Sequence, residues 1–333
     1  IVQADDGFSQ AAPIELSFNV SDAKLLFINI ERIQGLALGS GYKLALTGDF
    51  ADETGVALSA DYVRFVSSND QVISVDALGN VRATGEGQAV VKAIARGIEA
   101  VNVFTVSVEQ PQSYSGIEVD VYPLAVSLPT NGQRQLKVTE YDGTRIDAAA
   151  KGSTYFISDS SIADITPDGL IIAKKAGNAK VSVINDGRQY DLILHVQEPV
   201  VGTGVVSAAD GAVVQDTHGN QLMVAPGALK DGTKVSINKI GLDQVGMPPP
   251  GNGKLKTLGA FQLTIGDDKA ELPLQLALNA NDYVDPATGE KLKAGTEIHF
   301  WRKGEIMDEN GVMHETWWLV DNGYVGADGV ART

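Results

Sequence analysis

The chain has 333 residues with 42 acidic and 26 basic side chains, a formal charge of −16, and room for two or three domains at the usual ~100–200 residues each. Acid outnumbers base 14 to 7 over residues 1–110, 11 to 8 over 111–199 and 17 to 11 over 200–333, so no segment offers the cationic footprint that nucleic acid requires. Cysteine is absent, which excludes disulfides, thiolate metal sites and cysteine nucleophiles together.

Taken in chain order, residues 1–23 are polar around Asp5-Asp6-Gly7 before a strand-like run from Pro13 to Val20, and read as an N-terminal linker or strand. Residues 24–110 and 111–199 then carry short alternating apolar runs closed by turn residues: Leu44 and Leu46 before Gly48-Asp49, Val72 and Val75 before Gly79-Asn80, Ile193 and Val196 before Glu198-Pro199. That period of two, with 36 glycines and 12 prolines for turns, predicts an all-β protein. The Ala run within Asp147–Lys151 is too short for an independent helix and reads as a connection.

Residues 65–91 can be laid on 155–181 at a constant offset of 90 without a gap: Val72 falls on Ile162, Gly79 on Gly169, Ala83 on Ala173, Gly87 on Gly177 and Val91 on Val181. A period this long exceeds the ~20–50 residues of a solenoid repeat, so each copy is expected to be a domain with its own core. The runs Ser68-Asn69-Asp70-Gln71-Val72, Gly79-Asn80-Val81-Arg82-Ala83 and Gly85-Glu86-Gly87-Gln88-Ala89, with counterparts Ser158–Ile165, Asp168–Ala173 and Ala176–Val181, resemble the bacterial immunoglobulin-like group 2 domain of intimin- and invasin-like adhesins. The resemblance covers about half the chain and implies seven-stranded Greek-key sandwiches serving as spacer or binding scaffold.

Residues 200–333 do not repeat. The run Gly202-Thr203-Gly204-Val205-Val206, then Gln221-Leu222-Met223-Val224-Ala225-Pro226-Gly227-Ala228-Leu229, resembles the opening of the ZU-type β-sandwich domain, with Ala225 where a second proline is common. Three tandem β-sandwiches are therefore expected, two Ig-like and one ZU-like, with an N-terminal linker or strand at 1–23 and domains at 24–110, 111–199 and 200–333. Ile1 is not an initiator methionine and Thr333 closes on no polar tail, which predicts flanking domains of the same protein.

Candidate chemistry concentrates in the third segment. Gly295–Leu319 reads as a hairpin turning at Asp308-Glu309-Asn310-Gly311, which gathers all three tryptophans, Trp301, Trp317 and Trp318. Exposed, they would stack on sugar rings; buried, they would supply core. Adjacent Trp317 and Trp318 must point to opposite faces of a strand, one inward and one partly exposed. His299, His314 and Glu315 are candidate metal ligands, although without fixed spacing, and His314-Glu315-Thr316 has the spacing of a self-cleaving His-x-Thr with an atypical charged centre. Acidic turns at Asp267-Asp268, Asp282–Asp285 and Asp321-Asn322-Gly323 are candidates for Ca²⁺, none reproducing a full loop. His195, between Leu194 and Val196, reads as a sheet-surface residue, and Gly246–Gly253 as a stiff solvated connection.

No catalytic residue is assigned: the chain lacks a nucleophile elbow, a zincin helix and a phosphate loop. No run approaches the ~18 apolar residues of a membrane span. The resemblance implies a non-catalytic structural or adhesion region of an extracellular, cell-surface or secreted bacterial protein, a spacer stalk facing a glycan or protein on a surface. The alternatives are a carbohydrate-binding accessory region of a polysaccharide-degrading enzyme, and a filament subunit in which Ile14–Val20 completes a neighbour's sheet.

Overall fold

The computed structural model describes residues 8–9, 21–33, 35–108, 119–248, 250, 255–266, 269–285 and 288–333. The strand-like Ile14–Val20, the linker Gln110–Ser113 and the pair Asp267-Asp268 lie outside them. The protein is all-β, and among the described residues helix is limited to single 3-10 turns such as Ala149–Lys151 in the predicted connection.

The first repeat contributes β1 (Leu25–Ile30), β2 (Gly35–Ala37), β3 (Gly41–Lys43), β4 (Leu46–Phe50), β5 (Val56–Ala57), β6 (Arg64–Ser67), β7 (Ile73–Val75), β8 (Asn80–Ala83), β9 (Gly87–Ala95) and β10 (Ile98–Ser107). They form sheets ordered β1-β4-β5, β2-β10-β9-β6 and β3-β8-β7, with β2 parallel to β10. Alternation does the work: β9 buries every second residue from Ala89 to Ala95, and Ala89, Val91 and Phe104 meet Ile73 and Val81 in one core.

The second repeat contributes β11 (Asp120–Tyr122), β12 (Val126–Pro129), β13 (Gln133–Gln135), β14 (Lys137–Thr139), β15 (Thr154–Ile157), β16 (Ala163–Ile165), β17 (Leu170–Ala173), β18 (Gly177–Asn185) and β19 (Arg188–Gln197). Sheets β12-β19-β18-β15 and β13-β17-β16 reproduce the first copy's arrangement. The offset of 90 holds at both ends of every strand from β6/β15 to β10/β19, sixteen residues further than the sequence repeat extends. Gly79 and Gly169 explain part of that fidelity. Each takes a left-handed φ, 77° and 81°, while an aromatic ring, Phe65 or Tyr155, lies where a Cβ would stand.

The third segment contributes β20 (Val200–Val201), β21 (Gly204–Val205), β22 (Ala212–Gln215), β23 (Gln221–Val224), β24 (Lys234–Ile240), β25 (Ala260–Thr264), β26 (Gln275–Asn279), β27 (Glu297–Met307), β28 (Met313–Val325) and β29 (Val330–Arg332). A seven-stranded sheet, β20-β22-β23-β26-β29-β28-β27, faces a smaller one, β21-β24-β25. Between them Leu222, Val224, Val235, Ile237 and Phe300 form a core into which the Pro226-Gly227 turn drives Ala228 and Leu229.

The cores are not separate in the way the repeat predicts. Val213, Met223 and Ala277 of the third segment belong to the same buried cluster as Val126, Leu128 and Val196 of the second repeat. Likewise Val101 and Val103 of β10 pack on Ile184, with Val90 and Phe156 beside them, joining the first repeat to the second. The outer face of one sandwich thus becomes inner surface of the next.

Candidate functional site: the tryptophan hairpin

The predicted hairpin forms as β27 and β28. Its turn is organised by Asp308, whose Oδ1 accepts from the backbone N–H groups of Asn310 and Val312, both at 2.9 Å, while Oδ2 lies 2.8 Å from Nε2 of His314. These bonds, led by the one from Val312, hold the Asp308 carboxyl below the usual carboxylate range. Gly311 supplies the left-handed residue.

Register then sorts the side chains. Trp301 pairs with Leu319, Arg302 with Trp318, Lys303 with Trp317, Gly304 with Thr316 and Glu305 with Glu315. A bulge between Phe300 and Trp301 leaves Val320 unmatched. Trp317 and Trp318 therefore take opposite faces, as expected. The Trp317 indole N–H donates to the carbonyl of Pro248 at 2.8 Å, and Lys303 Nζ donates to that of Val245, so the start of the loop read as solvated, as far as Pro248, is fastened across this face. Trp318 lies over Gly304 on the other face and is 44% exposed. No tryptophan enters the core. The buried aromatic is Phe300, one residue before Trp301 and on the face that continues into the sandwich.

The metal candidates are not brought together. His299 pairs with Asn322 and sits 3.9 Å from Glu297, whereas His314 pairs with Ile306 beside the turn. Eight residues of β28 separate those positions, roughly 27 Å at ~3.4 Å per residue. Glu315 is engaged by Lys303 at 2.6 Å. Among the described residues, no three His, Asp or Glu side chains gather as a metal site. His314, Glu315 and Thr316 lie within the β28 ladder, the histidine held by Asp308. Asp321-Asn322-Gly323, read as an acidic turn, is likewise strand, because Gly323 lets β28 meet the carbonyl of Arg332 closely. Of the other acidic turn, Asp285 accepts backbone N–H groups from Thr288 and Gly289 through its carbonyl, an ordinary turn.

What sequence reasoning missed is the polar machinery of the two junctions. Gln189 of β19 donates its side-chain amide to the carbonyl of Val101 (3.0 Å) and accepts from the N–H of Val103 (3.1 Å). Arg32 donates to the carbonyl of Gln189 and to Asp191, each at 2.8 Å, and Lys180 donates to Asn29 at 2.6 Å. These groups line a polar cleft of about 130 Å³, room for about four waters at ~30 Å³ each; burial there lowers the Lys180 pKa. A signal was available: β10 reads Ala100-Val101-Asn102-Val103-Phe104, apolar on both faces, which a strand with one face in water is not.

At the second junction Gln275 donates to the carbonyl of Ala125 at 3.2 Å and Gln197 to that of Asp210. His195, read as a sheet-surface residue, is buried because the third segment covers it; its Nδ1 lies 3.9 Å from Asp210. Burial lowers its pKa, against a smaller upward pull from Asp210. Arg134 is buried with its guanidinium 5.7 Å from the Tyr122 ring centre, and burial lowers its pKa.

No family model matches the chain, and no curated protein does. Among solved structures, domains 4 and 5 of the S-layer protein SbsC align over 52% of this chain and 99% of theirs at 15% identity and a TM-score of 0.21. SbsC(31-844) aligns over 77% of this chain and 38% of its own at 15% identity and 0.24. Extracellular domains 3-5 of Drosophila OTK align over 96% and 97% at 11% and 0.19. At these scores the similarity carries no argument about function.

Proposed function

We propose that the chain is a non-catalytic structural and adhesion region of an extracellular, cell-surface or secreted bacterial protein, a spacer that holds a partner domain at a distance. The observation that carries this reading is the pair of junctions: Gln189 bonded into the backbone of the first repeat, and one buried cluster running from Val126 to Met223. A spacer must resist bending, and face-to-face packing across a buried junction resists it more than a linker does. Small-angle scattering tests the reading. A rigid spacer gives one sharp maximum dimension that lengthens or blurs in Gln189→Ala; a wild-type curve requiring a broad ensemble of domain orientations sinks it.

The exposed Trp318 favours a second reading, a carbohydrate-binding accessory region, since an exposed indole offers a stacking face to a sugar ring. Polysaccharide retention lost on Trp318→Ala, with the melting temperature unchanged, would support it.

A further inference from the structure

The strand β27 ends the seven-stranded sheet, and among the described residues its backbone bonds to no strand but β28. Its outer half projects with β28 as a two-stranded ribbon on which Ile306, Met307, Val312, Met313, Trp318 and Leu319 are all exposed. An unpaired edge of 11 residues without a proline is a template for another strand, and the exposed apolar side chains of the ribbon favour its burial. The ribbon also carries an unresolved charge pairing. Glu305 lies directly opposite Glu315, whose cation is Lys303, and among the described residues no cation pairs with Glu305.

We propose that two copies of this chain associate through β27, pairing antiparallel edge to edge about Gly304. A two-fold axis there sets Lys303 of each copy opposite Glu305 of the other, Trp301 opposite Met307, and Arg302 opposite Ile306. For centres between residues 301 and 305 this register alone avoids like charges face to face. Centring on 301 opposes Glu297 to Glu305; centring on 302, 303 or 305 opposes Arg302, Lys303 or Glu305 to itself. Glycine at the axis carries no charge where a residue faces its own copy, so no like pair forms there. Lys303 then stands between Glu315 of its own ribbon and Glu305 of the second copy, completing the pairing that one chain leaves open.

Sedimentation equilibrium of the full chain tests this, from micromolar to millimolar concentration. The wild type forms a reversible dimer. Glu305→Lys opposes Lys303 across the axis and weakens the dimer about tenfold or more, while inside the hairpin it faces Glu315 and favours folding, so a misfolded variant is not the explanation. Lys303→Glu combined with Glu305→Lys restores the dimer. A chain monomeric throughout overturns the proposal, as does a dimer indifferent to Glu305→Lys, or one abolished instead by Phe18→Asp. Binding of a peptide or glycan to the ribbon of a chain that stays monomeric overturns it too. Sedimentation reads association and scattering from the monomer reads rigidity, so either can fail without the other.

Discussion

The side-chain amide of Gln189 donates to the carbonyl of Val101, 3.0 Å away across the boundary between two copies of the same repeat. With the acceptor on the same amide taking the N–H of Val103, one residue of the second copy replaces a missing strand partner for the first. Gln189 lines the polar cleft between the copies, and its removal forfeits both of these hydrogen bonds, each worth a net ~0.5–1.5 kcal/mol. Gln189→Ala is expected to cost about 1–3 kcal/mol, read as a lowered urea midpoint, and to raise hydrogen exchange at Val103 above that of its neighbours in β10.

Lowered by burial, the His195 pKa makes the native junction bind a proton less readily than the unfolded chain. Its stabilising contribution is full above the unfolded value of ~6.5 and is lost as pH falls through and below it, with a slope of at most about 1.4 kcal/mol per pH unit. Denaturant titrations between pH 7 and pH 5 should show this loss, and His195→Gln should flatten it. A wild-type slope that persists unchanged in the variant would assign it to other groups.

Gly169 combines a left-handed φ of 81° with the Tyr155 ring 2.7 Å from where a Cβ would stand. Gly169→Ala is therefore expected to destabilise by more than the ~1 kcal/mol that the backbone conformation alone costs, measured as a drop in Tm. Gly143, with a similar φ of 83° and open space around it, isolates the backbone share: Gly143→Ala should cost less.

Trp317 fastens the 242–248 loop through its bond to the carbonyl of Pro248. Trp317→Phe keeps the ring and removes the donor, at a cost of about 1 kcal/mol. Limited proteolysis should then cut the loop faster, while Trp318→Phe leaves the cleavage rate unchanged.

The sequence by itself determined the strands, their repeat and the turn chemistry, because alternation and left-handed glycines act over a few residues and are written locally. Val72, Gly79 and Ala83 foretold the first copy and their partners at an offset of 90 the second; Asp308 to Gly311 foretold the hairpin and the opposite faces of Trp317 and Trp318. Tertiary structure alone decided which surface met which. Burial of His195 depends on Asp210 and the sheet of the third segment, and the role of Gln189 depends on a backbone N–H and a carbonyl 86 and 88 residues away. Junctions are built from pairs of surfaces, and a surface has no sequence period; only strands apolar on both faces, β10 at the first junction and β22 and β23 at the second, announced that something would cover them.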